Sequence, residues 1–197
     1  MTATLDHLLY LHGFRSSPAS FKAMRLHAWL QMHRPDLRWW CPQLPASPQA
    51  AMALIADGLA GWPAGRFAVI GSSLGGFYAT CVAESLGCPA VVLNPAVDPA
   101  RDLAAMVGEQ SGYHDSNQRF RFEASHVDEL RALTPPSITR PERYGAVIAK
   151  GDEVLDWHEM HDRYAGSTMR LVDGSDHGLS DFDDHLPFVL RFLGLMS

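Results

Sequence analysis

Gly71-Ser72-Ser73-Leu74-Gly75 carries more chemistry in its spacing than any other stretch of this chain. It matches G-x-S-x-G. It closes a short apolar run, "RFAVIG" (66–71), and opens a helix-like one, "LGGFYATCVAESLG" (74–87). In that context the middle serine is a nucleophile raised on a sharp strand-to-helix turn. Gly71 and Gly75 are required because a side chain at either place would strike neighbouring backbone. Ser73 has the right spacing to both glycines, and Ser72 does not. The N-terminus of the following helix supplies N–H groups and a dipole suited to developing negative charge. The plain alternative is a Gly/Ser turn, and only partners elsewhere in the chain separate the two readings.

A serine hydroxyl is a weak nucleophile without an adjacent base. His177 stands in "VDGSDHGLSDF", after the last strand-like run, with Gly174 and Gly178 around it. It must be neutral to act, so activity is expected to rise with pH along one main limb. The acid belongs after the preceding strand, where "AVIAKGDEVLDWHEM" offers Asp152, Glu153 and Asp156. Asp156-x-x-Glu159 has the spacing of a helix capping box. Asp152 is therefore assigned to orient the imidazole. An oxyanion needs two fixed donors. Leu74 N–H is one. Phe14 N–H is the other, in "YLHGFRSSP", where His12 and Gly13 support the turn after the first strand. No metal site is expected, because "WHEMH" spaces His158 and His161 three apart rather than the four of H-E-x-x-H.

These pieces must be held by elements of alternating type. Strand-like runs cover 7–13, 37–42, 66–71, 89–95, 144–151 and 167–174, and helical patterns cover 21–34, 48–62, 74–87, 156–166 and 179–194. Alternation of this kind implies a mainly parallel six-stranded sheet with helices on both faces. Loops at the carboxyl ends of the strands then carry the site. Residues 98–143 break the rhythm. They show no clear strand, a helix near 125–133 and a proline-rich return, and they are expected to form a lid above the sheet edge. Its apolar Tyr113, Phe120 and Phe122 alternate with Arg119, Arg121 and Glu123, which suits a small acyl pocket.

Four blocks, "YLHGFRSSP", "VIGSSLGGFYAT", "VVLNPAV" and "GDEVLD", together resemble the small YqiA-type bacterial esterases of the α/β-hydrolase superfamily. The resemblance spans almost the whole chain. It implies a minimal three-layer α/β hydrolase, cytoplasmic, without a cofactor, that acts on esters or thioesters of short acyl groups. It also implies Ser73 as nucleophile, Asp152 as acid and His177 as base. The histidine block departs from the pattern: Asp176 stands where an uncharged residue is usual, and Leu179 replaces an aromatic one. Two other functions fit the same residues. One is an acyl-CoA thioesterase, with Arg15, Arg119 and Arg121 near the mouth. The other is a ligand-binding protein that keeps the scaffold without catalysis.

Composition narrows the rest. The chain has 197 residues, 47% of them hydrophobic, which suits one domain over 1–197 with a sizeable core. A net charge of −6 with no basic run argues against nucleic acid as a partner. No apolar stretch reaches the roughly 20 residues that span a bilayer. "MTATLDHLLYLHGF" lacks the basic start of a signal peptide, and its apolar run is broken by Asp6 and His7. Three cysteines without C-x-x-C spacing suggest no disulfide framework, and Cys81 and Cys88 are expected on a packed helix. The expected partner is a small-molecule acyl ester or thioester.

Overall fold

The computed structural model describes residues 5–113 and 119–196. The first four residues of the N-terminal segment and residues 114–118 of the expected lid lie outside that range.

Six strands form one parallel sheet: β1 (His7–Leu11), β2 (Arg38–Trp40), β3 (Phe67–Ser72), β4 (Ala90–Leu93), β7 (Tyr144–Ala149) and β8 (Thr168–Val172). Their order across the sheet is β2-β1-β3-β4-β7-β8. The near-continuous apolar runs of β1, β3, β4 and β7 follow from burial on both faces. Leu9, Leu11, Val69, Val92 and Ile148 point into one core layer. Leu8, Tyr10, Ile70, Leu93 and Val147 point into the other.

Helices complete both layers. α1 (Phe21–His33) and α7 (Phe182–Phe192) cover the second face, contributing Leu26, Leu30, Val189 and Leu190. α2 (Pro48–Leu59), α3 (Leu74–Leu86), α5 (Ala124–Leu133) and α6 (Trp157–Arg163) cover the first. β1 and β3 are hydrogen-bonded neighbours, yet the chain leaves β1 for α1 on one face and β3 for α3 on the other. That divergence opens a crevice at their carboxyl ends, the place where open α/β sheets bind ligands. Among the described residues, no helix is long and apolar enough to cross a membrane.

The segment 98–143 differs from its sequence reading in two ways. It contains strands. After the short α4 (Pro99–Asp102), β5 (Gly108–Ser111) and β6 (Arg119–Phe122) pair antiparallel, Ser111 opposite Arg119 and Gly108 opposite Phe122. The alternation in "RFRF" is the period-two signal of a strand, but it covers four residues only. Nor does the segment sit over a sheet edge. β4 and β7 are adjacent and parallel in the interior of the sheet, so the connection between them must return along a face. α5 makes that return, with Val127 and Leu130 buried and Glu129 accepting from Ser47 Oγ (2.7 Å) and Gln49 N (3.0 Å) at the start of α2. Cys81 lies on α3 as expected, whereas Cys88 follows Gly87, which ends that helix in the left-handed region (φ 72°).

Backbone presses closely on Gly75, where a Cβ would lie 2.0 Å from the Leu11 carbonyl oxygen and 2.7 Å from that of His12. Gly75→Ala is therefore expected to cost about 3 kcal/mol or more in urea unfolding. Gly178→Ala, whose Cβ would meet only the Asp176 carboxylate at 3.3 Å, should lose far less. Equal midpoints for the two variants would contradict the close approach.

Candidate active site

Ser73 occupies the turn between β3 and α3 with φ 56° and ψ −123°. Such a conformation costs on the order of 1–3 kcal/mol for a residue with a side chain, so its surroundings must hold it. Ser73 N donates to Leu93 O (3.0 Å), and Ser73 O accepts from Gly76 N (2.8 Å) and Ala96 N (3.1 Å). Gly71 and Gly75 supply the space: a Cβ on Gly71 would lie 2.0 Å from the Gly75 carbonyl oxygen. Ser72, the other serine, is a buried strand residue without positive φ.

Three side chains from three loops meet above the sheet. His177 Nε2 lies 3.0 Å from Ser73 Oγ. His177 Nδ1 lies 2.8 Å from Asp152 Oδ2. The Asp152 side chain is fully buried. Its second oxygen accepts the N–H groups of Val154 and Leu155, each at 2.8 Å. So Asp152 has a structural duty after all, but on the oxygen that does not face the histidine. Asp156 caps α6 through His158 N (2.9 Å). The reciprocal half of the capping box is missing, because Glu159 is taken by Arg101 (2.7 Å). Hydrogen bonds from the His158 backbone and ring hold the Asp156 carboxyl below the usual carboxylate range.

The donor side is built on one peptide unit. His12 is buried, and its Nε2 accepts from Leu44 N (3.1 Å). The proton therefore sits on Nδ1, which donates to the Gly13 carbonyl (3.0 Å). Ser16 N donates to the same oxygen (3.2 Å). In a trans peptide the N–H points opposite the C=O, so pinning Gly13 O fixes the direction of Phe14 N–H. Gly13 itself packs on Ser73, since a Cβ there would lie 3.6 Å from Ser73 Oγ. Leu74 N–H is the first of α3 and has no acceptor within its helix. The hairpin β5–β6 braces this peptide. Phe14 packs edge-on against Phe120 (5.7 Å) and Phe122 (5.2 Å), and Arg15 Nε donates to Ser111 O (2.7 Å).

Two residues outside the sequence reading hold the histidine loop. Asn94, fully buried with φ 41°, donates from Nδ2 to the carbonyls of Asp176 (2.9 Å) and His177 (3.2 Å). Its Oδ1 accepts Ala149 N (2.8 Å). It lies in "VVLNPAV", where nothing in the local pattern marks an asparagine as a tie between loops distant in sequence. Glu153, weighed above only as an acid, accepts His177 N (2.9 Å). Asp176 accepts Ser180 N (3.0 Å), and hydrogen bonds from the Ser180 hydroxyl, chiefly, and this N–H keep its carboxyl below the ordinary range.

Two cavities flank Phe14. One of about 450 Å³ is lined by Leu44, Leu54, Leu74, Tyr78 and Phe120, with Arg15 and Arg119 at its rim. The other, about 280 Å³, is lined by Ser73, His177, Tyr10, Ser20 and Lys22. Among the described residues, no group of three or more His, Cys, Asp or Glu side chains is arranged to hold a metal. His158 and His161 face Asp156 and Asp162 instead.

A family model described as "Uncharacterised protein family (UPF0227)" matches residues 7–194. Solved structures share the fold at low identity. Alpha/beta hydrolase domain-containing protein 10 from mouse superposes with a TM-score of 0.69 at 16% identity, over 97% of this chain and 90% of that one. Est1E from Butyrivibrio proteoclasticus gives 0.67 at 11%, over 97% and 89%. The esterase domain of a Rhodothermus marinus protein gives 0.67 at 21%, over 98% and 86%. The fold is that of the α/β hydrolases.

Asn94 offers a direct check on how the loop is held. Asn94→Ala leaves Ala149 N–H and two loop carbonyls without their partner and is expected to cost about 2–4 kcal/mol in urea unfolding. Asn94→Asp should not rescue it, because a carboxylate cannot donate to two carbonyls. An Asp variant as stable as the parent at neutral pH would refute this arrangement.

Proposed function

We propose that this chain, which belongs to the UPF0227 family, known as the YqiA family, is a serine esterase that cleaves short-chain carboxylic esters through an acyl-enzyme. One observation carries the reading. A serine on a strained strand-to-helix turn touches a histidine nitrogen at 3.0 Å, and the opposite nitrogen of that ring touches a buried carboxylate at 2.8 Å. That is the arrangement in which a hydroxyl becomes a nucleophile.

The steps follow from the contacts. His177 Nε2 takes the Ser73 proton as Oγ attacks the ester carbonyl. Asp152, hydrogen-bonded to Nδ1, holds the ring and stabilises its charged form. The tetrahedral oxyanion accepts from Leu74 N–H and Phe14 N–H. His177 then protonates the departing alcohol, which leaves the acyl group on Ser73. Water, deprotonated by His177, attacks that acyl-enzyme; the C–Oγ bond breaks, His177 returns the proton to Ser73 Oγ, and the carboxylic acid leaves. The leaving group must lie near His177, so the alcohol portion belongs in the cavity that His177 lines. The acyl portion belongs in the other cavity, under Leu74. Its lining of Leu44, Leu54, Tyr78 and Phe120 below two arginines suits a short chain.

Ser73→Ala should lower hydrolysis of p-nitrophenyl acetate by about 10⁴-fold or more and abolish labelling by a fluorophosphonate, while Ser72→Ala keeps the label. A protein that folds, yet neither turns over the ester nor takes the label, is a binding protein on this scaffold. Across acyl length, kcat/KM should be higher for the butyryl than for the dodecanoyl ester.

Asp152→Asn should cut kcat by up to about 10⁴-fold with little change in the urea midpoint. Asp156→Ala should show the reverse, a lower midpoint with kcat kept. An inactive but stable Asp156→Ala, beside an active Asp152→Asn, would exchange their roles.

A further inference from the structure

The cavity of about 280 Å³ carries hydroxyls and an amine that an alcohol portion of hydrocarbon would not need. Tyr10 lies on β1 and is fully buried. Its hydroxyl makes no hydrogen bond. Ser20 is nine-tenths buried, and its Oγ makes none either. The Ser20 and Ser72 hydroxyls approach the Tyr10 oxygen and favour its charged form weakly, but none meets full hydrogen-bond geometry. Unsatisfied buried hydroxyls are costly, on the order of 1–3 kcal/mol each. Two at one cavity, next to Ser73 and His177, mark a place built for a polar group.

The helix beside them adds charge of one sign. Ser20 is the N-cap of α1 but does not cap it with its side chain, and no acid stands in the first turn. Helices favour acids there, opposite the positive end of the dipole. Here the first turn carries Lys22, which lines the cavity and donates from Nζ to the carbonyl of Gly178, the residue after His177. Burial pulls the ammonium down to about 8, against the Asp176 and Asp152 carboxylates, which favour its charge. Both acids are already engaged, Asp176 with Ser180 N and Asp152 with His177 and two backbone N–H groups. An unused cap hydroxyl, an orphan tyrosine hydroxyl, an amine and the free N–H groups of a thirteen-residue helix thus converge on one side of the reacting serine.

We propose that this cavity is an anion subsite on the leaving-group side, so that the preferred esters carry a compact carboxylate or phosphate on their alcohol portion. The inference rests on the esterase reading and names its substrate class. The Lys22 ammonium and the start of α1 take the charge. The Tyr10 and Ser20 hydroxyls donate to its remaining oxygens.

The test uses pairs of butyryl esters matched in size and differing in charge. One pair is the ester of glycolic acid and that of glycolamide. The other is 2-(butyryloxy)ethyl phosphate and its neutral analogue of the same size, 3-(methylsulfonyl)propyl butyrate. We expect kcat/KM to favour the anionic member of at least one pair by about tenfold or more at pH 7. The pair with the larger preference tells carboxylate from phosphate. Lys22→Met and Ser20→Ala should each bring that ratio several-fold closer to one. Tyr10→Phe, which keeps the ring in the core, supplies a third variant should the others fold poorly. Wild-type ratios at or below one in both pairs overturn the subsite, as does hydrolysis of p-nitrophenyl acetate without turnover of either anionic ester. Loss of all turnover, p-nitrophenyl acetate included, would instead overturn the esterase reading beneath it.

Discussion

The site depends on one backbone contact. The first turn of α3 presses against the end of β1 so closely that Gly75 has no room for a methyl group beside the Leu11 carbonyl. That approach sets the strained Ser73 turn beside the Gly13–Phe14 peptide, and with it the spacing between the Ser73 hydroxyl and that peptide. Hydrogen bonds from Ser73 N to Leu93 O, and from Gly76 N and Ala96 N to Ser73 O, then keep the turn from relaxing. A strained residue persists only when its neighbours leave it no alternative. Here backbone rather than side chains does most of the confining, so small residues recur through "GSSLGG".

Precision on the other side comes from side chains that never touch a reacting atom. Asn94 joins the end of β4 to the end of β7 and to the loop that carries His177. Glu153 holds the backbone N–H of His177, while the neighbouring Asp152 holds its ring. Adjacent acids thus divide the work, one on the main chain and one on the imidazole. His12 does the equivalent for the Gly13 peptide from beneath. Each contact removes a rotation that the serine–histidine geometry cannot tolerate, in keeping with the rule that supporting partners make a constellation accurate.

Much of this was legible in the sequence, and for a physical reason. Strands buried on both faces, β1, β3, β4 and β7, leave uninterrupted apolar runs, and all six expected strands and five expected helices appear in the structure. Ser73, Asp152 and His177 each sit just past such a run, so their meeting follows from the order of the strands. The hairpin of β5 and β6 was not legible, because four residues are too few to separate a strand from a loop that happens to alternate. Asn94 and Glu153 were hidden for a different reason. Their roles rest on contacts across 55 to 83 positions and across 24 positions respectively, and no local spacing encodes them. The capping-box spacing at Asp156 leaves Asp152 as the acid, with no sign in the sequence of a structural duty for it. It has one, and a carboxylate with two oxygens meets both demands.

The β5–β6 hairpin pairs only with itself, outside the six-stranded sheet. Its sequence can therefore drift over evolutionary time without breaking a ladder bond of the scaffold. Yet its aromatics rest on Phe14, whose N–H faces the reacting carbonyl in the proposed mechanism. Inherited change is nearly free with respect to folding at its exposed positions, such as Glu109 and Arg121, but not at Phe122, which is buried in the core. Lineages that vary those exposed positions would keep the same six-stranded sheet and the same aromatic support against Phe14.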